Sequence, residues 1–138
     1  MASFSAQVAA FVAKSEKRME MVVKESAQRV GLAVKDRVPV DTGFLRASFM
    51  ASTSSMPLID RNARPGSGPI ADGGEQIALV IAGASLGQPI YLGFVAGYAA
   101  HVEYGANGRA GIGMVRLAAQ QWPSIVNQVV AEAKQRIG

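Results

Sequence analysis

From Ser3 to Arg37 the chain carries no proline and one glycine, Gly31. Across it Phe4, Val8, Phe11, Ser15, Met19, Val22, Ala27, Val30 and Val34 recur at three- to five-residue steps. That spacing marks one face of an α-helix. Ser3 or Ser5 can cap its start, and Val38-Pro39 ends it, because a residue before proline avoids the helical region. About 35 residues rising ~1.5 Å each span roughly 50 Å. This is long for a small domain, so the pattern predicts that part of the helix packs on another chain or that it bends near Gly31.

The rest of the composition narrows the possibilities. A chain of 138 residues, 49% hydrophobic, is expected to form one domain with its own core. It has no cysteine, which removes disulfides, a zinc ribbon and a thiol nucleophile, and its single histidine, His101, removes any two-histidine metal motif. No metal or cofactor is expected. The N-terminus has no basic residue before an apolar run, so no secretory signal is expected. Gln76 to Ala100 has no charged residue but is broken by glycines and Pro89, which argues against a membrane span.

After the helix, Pro39-Val40-Asp41-Thr42-Gly43 has turn chemistry. Phe44 to Met50 reads as a strand, loosely alternating around Arg46 and Ser48. Ala51 to Glu75 is rich in Ser, Gly and Pro and predicts a long loop arm, mobile over Ser52–Gly74 until assembly orders it. Gln76–Gly83 and Pro89–Val95 read as two further strands, apolar on both faces, so one sheet face calls for cover from another subunit. Tyr98 to Tyr104 allows one helical turn, and Gly105–Gly113 is a glycine-rich loop. A second amphipathic helix runs from Met114 to Ile137, with Pro123 kinking or restarting it. The expected class is α+β: a long N-terminal helix, a small antiparallel β-sheet with a long inter-strand loop, and a C-terminal helix packed on the sheet.

Few residues carry the pattern of a reaction. Gly105-Ala106-Asn107-Gly108-Arg109-Ala110-Gly111-Ile112-Gly113 lacks the Lys-Ser/Thr ending of a triphosphate loop and reads as a linker. His101 and Glu103 are an acid–base pair in principle, but no nucleophile motif accompanies them. The basic residues Lys14, Lys17, Arg18, Lys24, Arg29, Lys35 and Arg37 are interspersed with Glu16, Glu20, Glu25 and Asp36, a solvated face more than a phosphate-binding one. No aromatics interleave with them for base stacking. With a pI near 9.8, a small basic nucleic-acid-binding module is the alternative reading.

Two motifs in order resemble a known family. Pro39-Val40-Asp41-Thr42-Gly43-Phe44-Leu45-Arg46-Ala47-Ser48 is similar to the P-x-D-T-G-x-L-R-x-S signature of the tail-completion or head–tail joining (neck) proteins of long-tailed phages and prophages. Tyr98-Ala99-Ala100-His101-Val102-Glu103-Tyr104-Gly105 resembles their later Y-A-x-x-V/I-E-x-G element. One departure is Gly113-Met114-Val115, where the family commonly enters its last helix with proline and phenylalanine. The resemblance implies a non-enzymatic virion protein, one tail-completion domain over residues 1–138, assembled in the host cytoplasm and placed in the neck. It also implies a homo-oligomeric ring, sixfold by the symmetry of such tails. Its partners would be a tail terminator or tail tube protein, a head-completion or connector protein, and weakly held genomic DNA passing through the channel. The motif residues Pro39, Asp41, Thr42, Gly43, Leu45, Arg46, Ser48, Tyr98, Glu103 and Gly105 then read as architecture. Asp41, Thr42 and Gly43 would make the turn, and Arg46, a lone charge in an apolar strand, would be buried or semi-buried in an ion pair with Asp41 or Glu103.

Overall fold

The computed structural model describes residues 3–39, 44–59, 73–106 and 108–137. The predicted first helix is there as α1, Phe4–Arg37, running unbroken through Gly31. The Ser3 hydroxyl accepts from the Ala6 amide at 3.1 Å, satisfying one of the free amides at the helix start, and Val38 caps the end in extended conformation. Lys35 and Arg37 in the last turn suit the negative end of the helix dipole.

The segment expected as one strand divides. Phe44–Ala47 forms a single turn, α2, and Phe49–Ser52 forms β1. Ser48 makes the change: its amide and hydroxyl both donate to the Leu45 carbonyl, at 3.1 and 2.8 Å, closing the turn. Its own carbonyl accepts from Val95 and so opens the ladder. Leu45 and Ser48, three apart, both face the core.

The larger correction concerns residues 76–83. They are not a strand but the greater part of a helix, α3, Gly73–Gly83. An apolar run of this length does not distinguish the two by pattern alone. Burial does: Ile77, Ile81 and Ala84 are buried and Val80 partly so, a helical spacing, while Leu79 is 68% exposed. The argument that a doubly apolar sheet needs a second subunit therefore falls.

The Pro89–Val95 strand is present as β2, Tyr91–Phe94, antiparallel to β1 with Phe49 opposite Phe94 and Ala51 opposite Leu92. The two phenylalanine rings pack tilted with centroids 4.7 Å apart. α1 crosses this sheet at Gly31, whose Cα faces Leu92, Ile77 and Phe49. The core is built there from Ala27, Val34, Leu45, Phe49, Ile77, Ile81, Phe94, Met114 and Ala118.

Downstream, α4 spans Ala99–Tyr104. The glycine-rich stretch is a tight hairpin, β3 Gly105–Ala106 against β4 Arg109–Ala110, with Gly108 at φ +78° in its turn. The last helix is two: α5, Met114–Gln120, and α6, Trp122–Ile137. Pro123 falls in the first turn of α6, where its missing amide costs nothing, so it restarts the helix. The chief packing of α6 is along α1 rather than on the sheet as expected: Val129 and Ala133 are buried, and Glu132 accepts from the Arg29 guanidinium. The sheet is covered instead chiefly by α3, with α1 approaching it at Gly31.

Candidate assembly surface

Glu103 is the best-determined residue of the two motifs. Gly113, in the left-handed region at φ +71°, precedes α5 and offers no side chain to cap it. Both Glu103 carboxylate oxygens supply the cap from a distance, accepting from the Val115 amide at 2.8 Å and the Arg116 amide at 2.9 Å. These are two of the free amides of the helix start, and a carboxylate also suits its positive dipole end. The backbone adds to this clamp: Ile112 donates to Val102 and Gly113 donates to Glu103. Gly111 lies so close that a Cβ there would overlap the Glu103 carbonyl and the Tyr104 backbone.

Gly105 follows α4 with φ +93° and ψ 157°, a region essentially restricted to glycine. It turns the chain into β3 and so sets the hairpin against α4. The second motif is thus a joint: Tyr98 begins α4, its carbonyl accepting from the His101 and Val102 amides, Glu103 caps α5, and Gly105 turns the corner. His101 is exposed, and the Glu103 carboxylate is committed to the α5 amides, so the two do not make an acid–base pair.

In the first motif, Leu45 is core and Ser48 joins α2 to β1, while Pro39 is exposed beyond α1. Asp41, Thr42 and Gly43 lie outside the described residues. Arg46 is a correction: it is exposed rather than buried, because α2 is helical and turns that position away from Leu45 and Ser48. Its proposed partner Glu103 is engaged elsewhere.

The loop arm is partly built. The Ser52 hydroxyl accepts from the Ser54 and Ser55 amides, and Met56 and Pro57 lie over Gly93. Residues 60–72 of the expected arm are outside the described residues. The edge of β1 is closed by a residue that the pattern did not single out. The Gln76 amide group accepts from the Ala51 N–H at 2.9 Å and donates to the Ala51 carbonyl at 2.7 Å, as a neighbouring strand would.

Several of the basic residues on α1 are used internally. Lys24 bonds Glu20 and the Ala82 carbonyl, Arg37 bonds the Ala33 carbonyl, and Arg29 bridges Glu25 and Glu132. The hydrogen bonds that Arg29 donates, first to Glu132 and then to Glu25, raise its pKa above the ordinary value. Lys35 is buried.

Among the described residues no group of three or more His, Asp or Glu is placed to hold a metal. A shallow recess bounded by Glu20, Val23, Lys24, Ala84, Ser85, Leu86 and Ile90 has a cavity volume of about 10 Å³, far below the ~300–1,000 Å³ of metabolite sites. No helix among the described residues is long and apolar enough to cross a membrane.

What the surface does offer is apolar area. Along α1 every residue from Ser3 to Lys14 is exposed, including Phe4 at 81% and Phe11 at 68%. Ser3 to Ala13 contains no charged residue. That uncharged run was the available signal for an uncovered arm; the stripe alone does not distinguish a covered turn from an open one.

Among families, the one described as "Bacteriophage HK97-gp10, putative tail-component" matches residues 2–105, well over half of the chain. The match takes in both motifs and ends before α5 and α6. No curated protein and no solved structure matches the chain.

Proposed function

The chain belongs to the HK97-gp10-like family of phage tail components, and from that premise we propose that it is a structural protein of the virion neck. In this reading residues 1–138 form one tail-completion domain. Copies of it form a ring around the DNA channel, sixfold to match the tail, that completes the tail and joins it to the head connector. The protein is assembled in the host cytoplasm and carries no enzymatic activity of its own.

The observation that carries this reading is the family match over residues 2–105. The structure supports it in kind. The second motif is a clamp between secondary elements, and the open apolar area lies on a helix that extends past its own core. The exposed apolar start of α1 is what a part held by neighbours would present. The basic excess of the chain, 14 Lys and Arg against 10 Asp and Glu, is mild. A conduit that lets DNA slide needs weak phosphate contact of this order, since each firm contact adds to salt-dependent affinity.

The experiment is deletion of the coding segment from the phage that carries it. The expected outcome is filled heads and finished tails that fail to join, restored by the chain supplied in trans. Normal infectious particles from the deletion would contradict the reading.

A further inference from the structure

The sheet of β1 and β2 has two faces, and its register sorts the residues between them. Phe49 stands opposite Phe94 and Ala51 opposite Leu92; all four belong to the core or pack against it. Side chains alternate along a strand, so Met50, Ser52, Tyr91 and Gly93 belong to the other, outer face. Gly93 has no side chain, yet it is buried. A Cβ on Gly93 would stand 3.3 Å from Met56 Cε, 3.5 Å from Met56 Sδ and 3.5 Å from Pro57 Cδ. These atoms come from chain that has just left β1. Met56 and Pro57 thus occupy the room that a side chain at position 93 would take.

Local chemistry brings them there. The Ser52 hydroxyl accepts from the Ser54 amide at 3.2 Å and from the Ser55 amide at 3.4 Å, which turns the chain at the end of β1. The Ser52 and Ser54 hydroxyls also lie 3.1 Å apart. Pro57 restricts Met56 to extended backbone, so no helix starts after the turn. A methionine suits the seat, since its unbranched thioether adapts to an irregular surface. The hold is slight, however. Met56 remains 52% exposed, and the hydrogen bonds of the serine turn are exposed as well. Segments with few buried contacts and exposed hydrogen bonds open at free energies well below that of the whole domain. The core lies on the opposite face, around Phe49, Phe94, Ile77 and Ile81, so lifting this segment does not breach it.

We propose that residues 53–59 are a strap, closed by Met56 in the notch that Gly93 leaves on the outer face of the sheet, and that the strap opens as a unit while the domain stays folded. Gly93 is then a positioning residue: the strap closes because that position carries no side chain. Closed, the strap fixes the direction in which the chain leaves β1. Open, it bares the outer face of the sheet at Gly93.

Amide hydrogen exchange in the full-length protein, followed at Ser54 and Ser55 by NMR, reads the strap directly. In the unaltered protein both amides should exchange about tenfold more slowly than in an unstructured peptide, yet far faster than core amides that open only with the whole domain. In Gly93→Leu the added side chain takes the seat, and in Met56→Ser the side chain that fills it is gone. Both variants should bring the two rates close to the peptide value, while circular dichroism and the thermal midpoint stay near those of the unaltered protein. Met56→Ser leaves the strands themselves untouched, so it decides the question if Gly93→Leu does not fold. Peptide-like rates in the unaltered protein would show that no strap is closed. Rates left unchanged by Met56→Ser would show that the serine turn stands without the seat. Rates in the unaltered protein equal to those of the core amides would show that the segment opens only with the domain. Each of these three results would overturn the proposal.

Discussion

At the scale of single residues, the second motif is explained by two demands of the backbone. Glu103 is required because the α5 start has a glycine where a capping side chain would stand. Glu103→Ala should cost about 1–2 kcal/mol, the loss of a cap and of its charge at the helix N-terminus. Glu103→Gln should recover little, since one of its two groups is a donor facing an amide donor. Chemical denaturation measures both; a loss under ~0.3 kcal/mol for Glu103→Ala would mean that α5 starts without help. Gly105 is required by its φ and ψ, and Gly105→Ala should lose about 1–3 kcal/mol. Gly31 is the opposite case. It sits mid-helix, and a Cβ there would meet Leu92 at 3.7 Å and Ile77 and Phe49 at 3.9 Å, ordinary contact distances. Gly31→Ala should therefore stabilise by about 0.5–1 kcal/mol through helix propensity. A destabilised variant in thermal melts would show that this crossing tolerates no added methyl group.

At the scale of elements, β1 depends on a side chain from α3 to finish its edge. Gln76→Ala removes both hydrogen bonds to Ala51 and should destabilise by about 1–2 kcal/mol. Amide exchange at Ala51 should accelerate by more than the change in global stability explains; exchange that merely follows global unfolding would show the edge to be closed by other means. The elements that could be read from sequence were those with strong local signals. α1 has a long stripe, a serine at its start and Val38-Pro39 at its end. β2 and the turn at α4 were placed, and Pro123 marked the break, with a kink and a restart both open. Those that could not were short and set by neighbours. Phe44–Ala47 curls because Ser48 bonds back to Leu45, a contact with no pattern of its own. Residues 76–83 were apolar enough for a strand, and only their packing under α1 and beside β1 makes them a helix. The site was legible to a similar degree. The second motif falls on a joint, but Glu103 acts on an amide pair twelve and thirteen residues away; in the first, Asp41, Thr42 and Gly43 lie outside the described residues, and Arg46, expected inside, is outside.

At the scale of the whole molecule, the account rests on the family match over residues 2–105 and on a chain whose described residues build a core while leaving the first turns of α1 exposed. The central claim is a place, the neck, and an arrangement, a ring. Imaging of intact virions in which this chain bears a compact label tests both together. The account predicts labelled density confined to a ring between the capsid vertex and the first ring of the tail tube, coaxial with the DNA, with about six labels per particle. Labels in the capsid shell, along the tube or at the tail tip, or particles with no label at all, would contradict it.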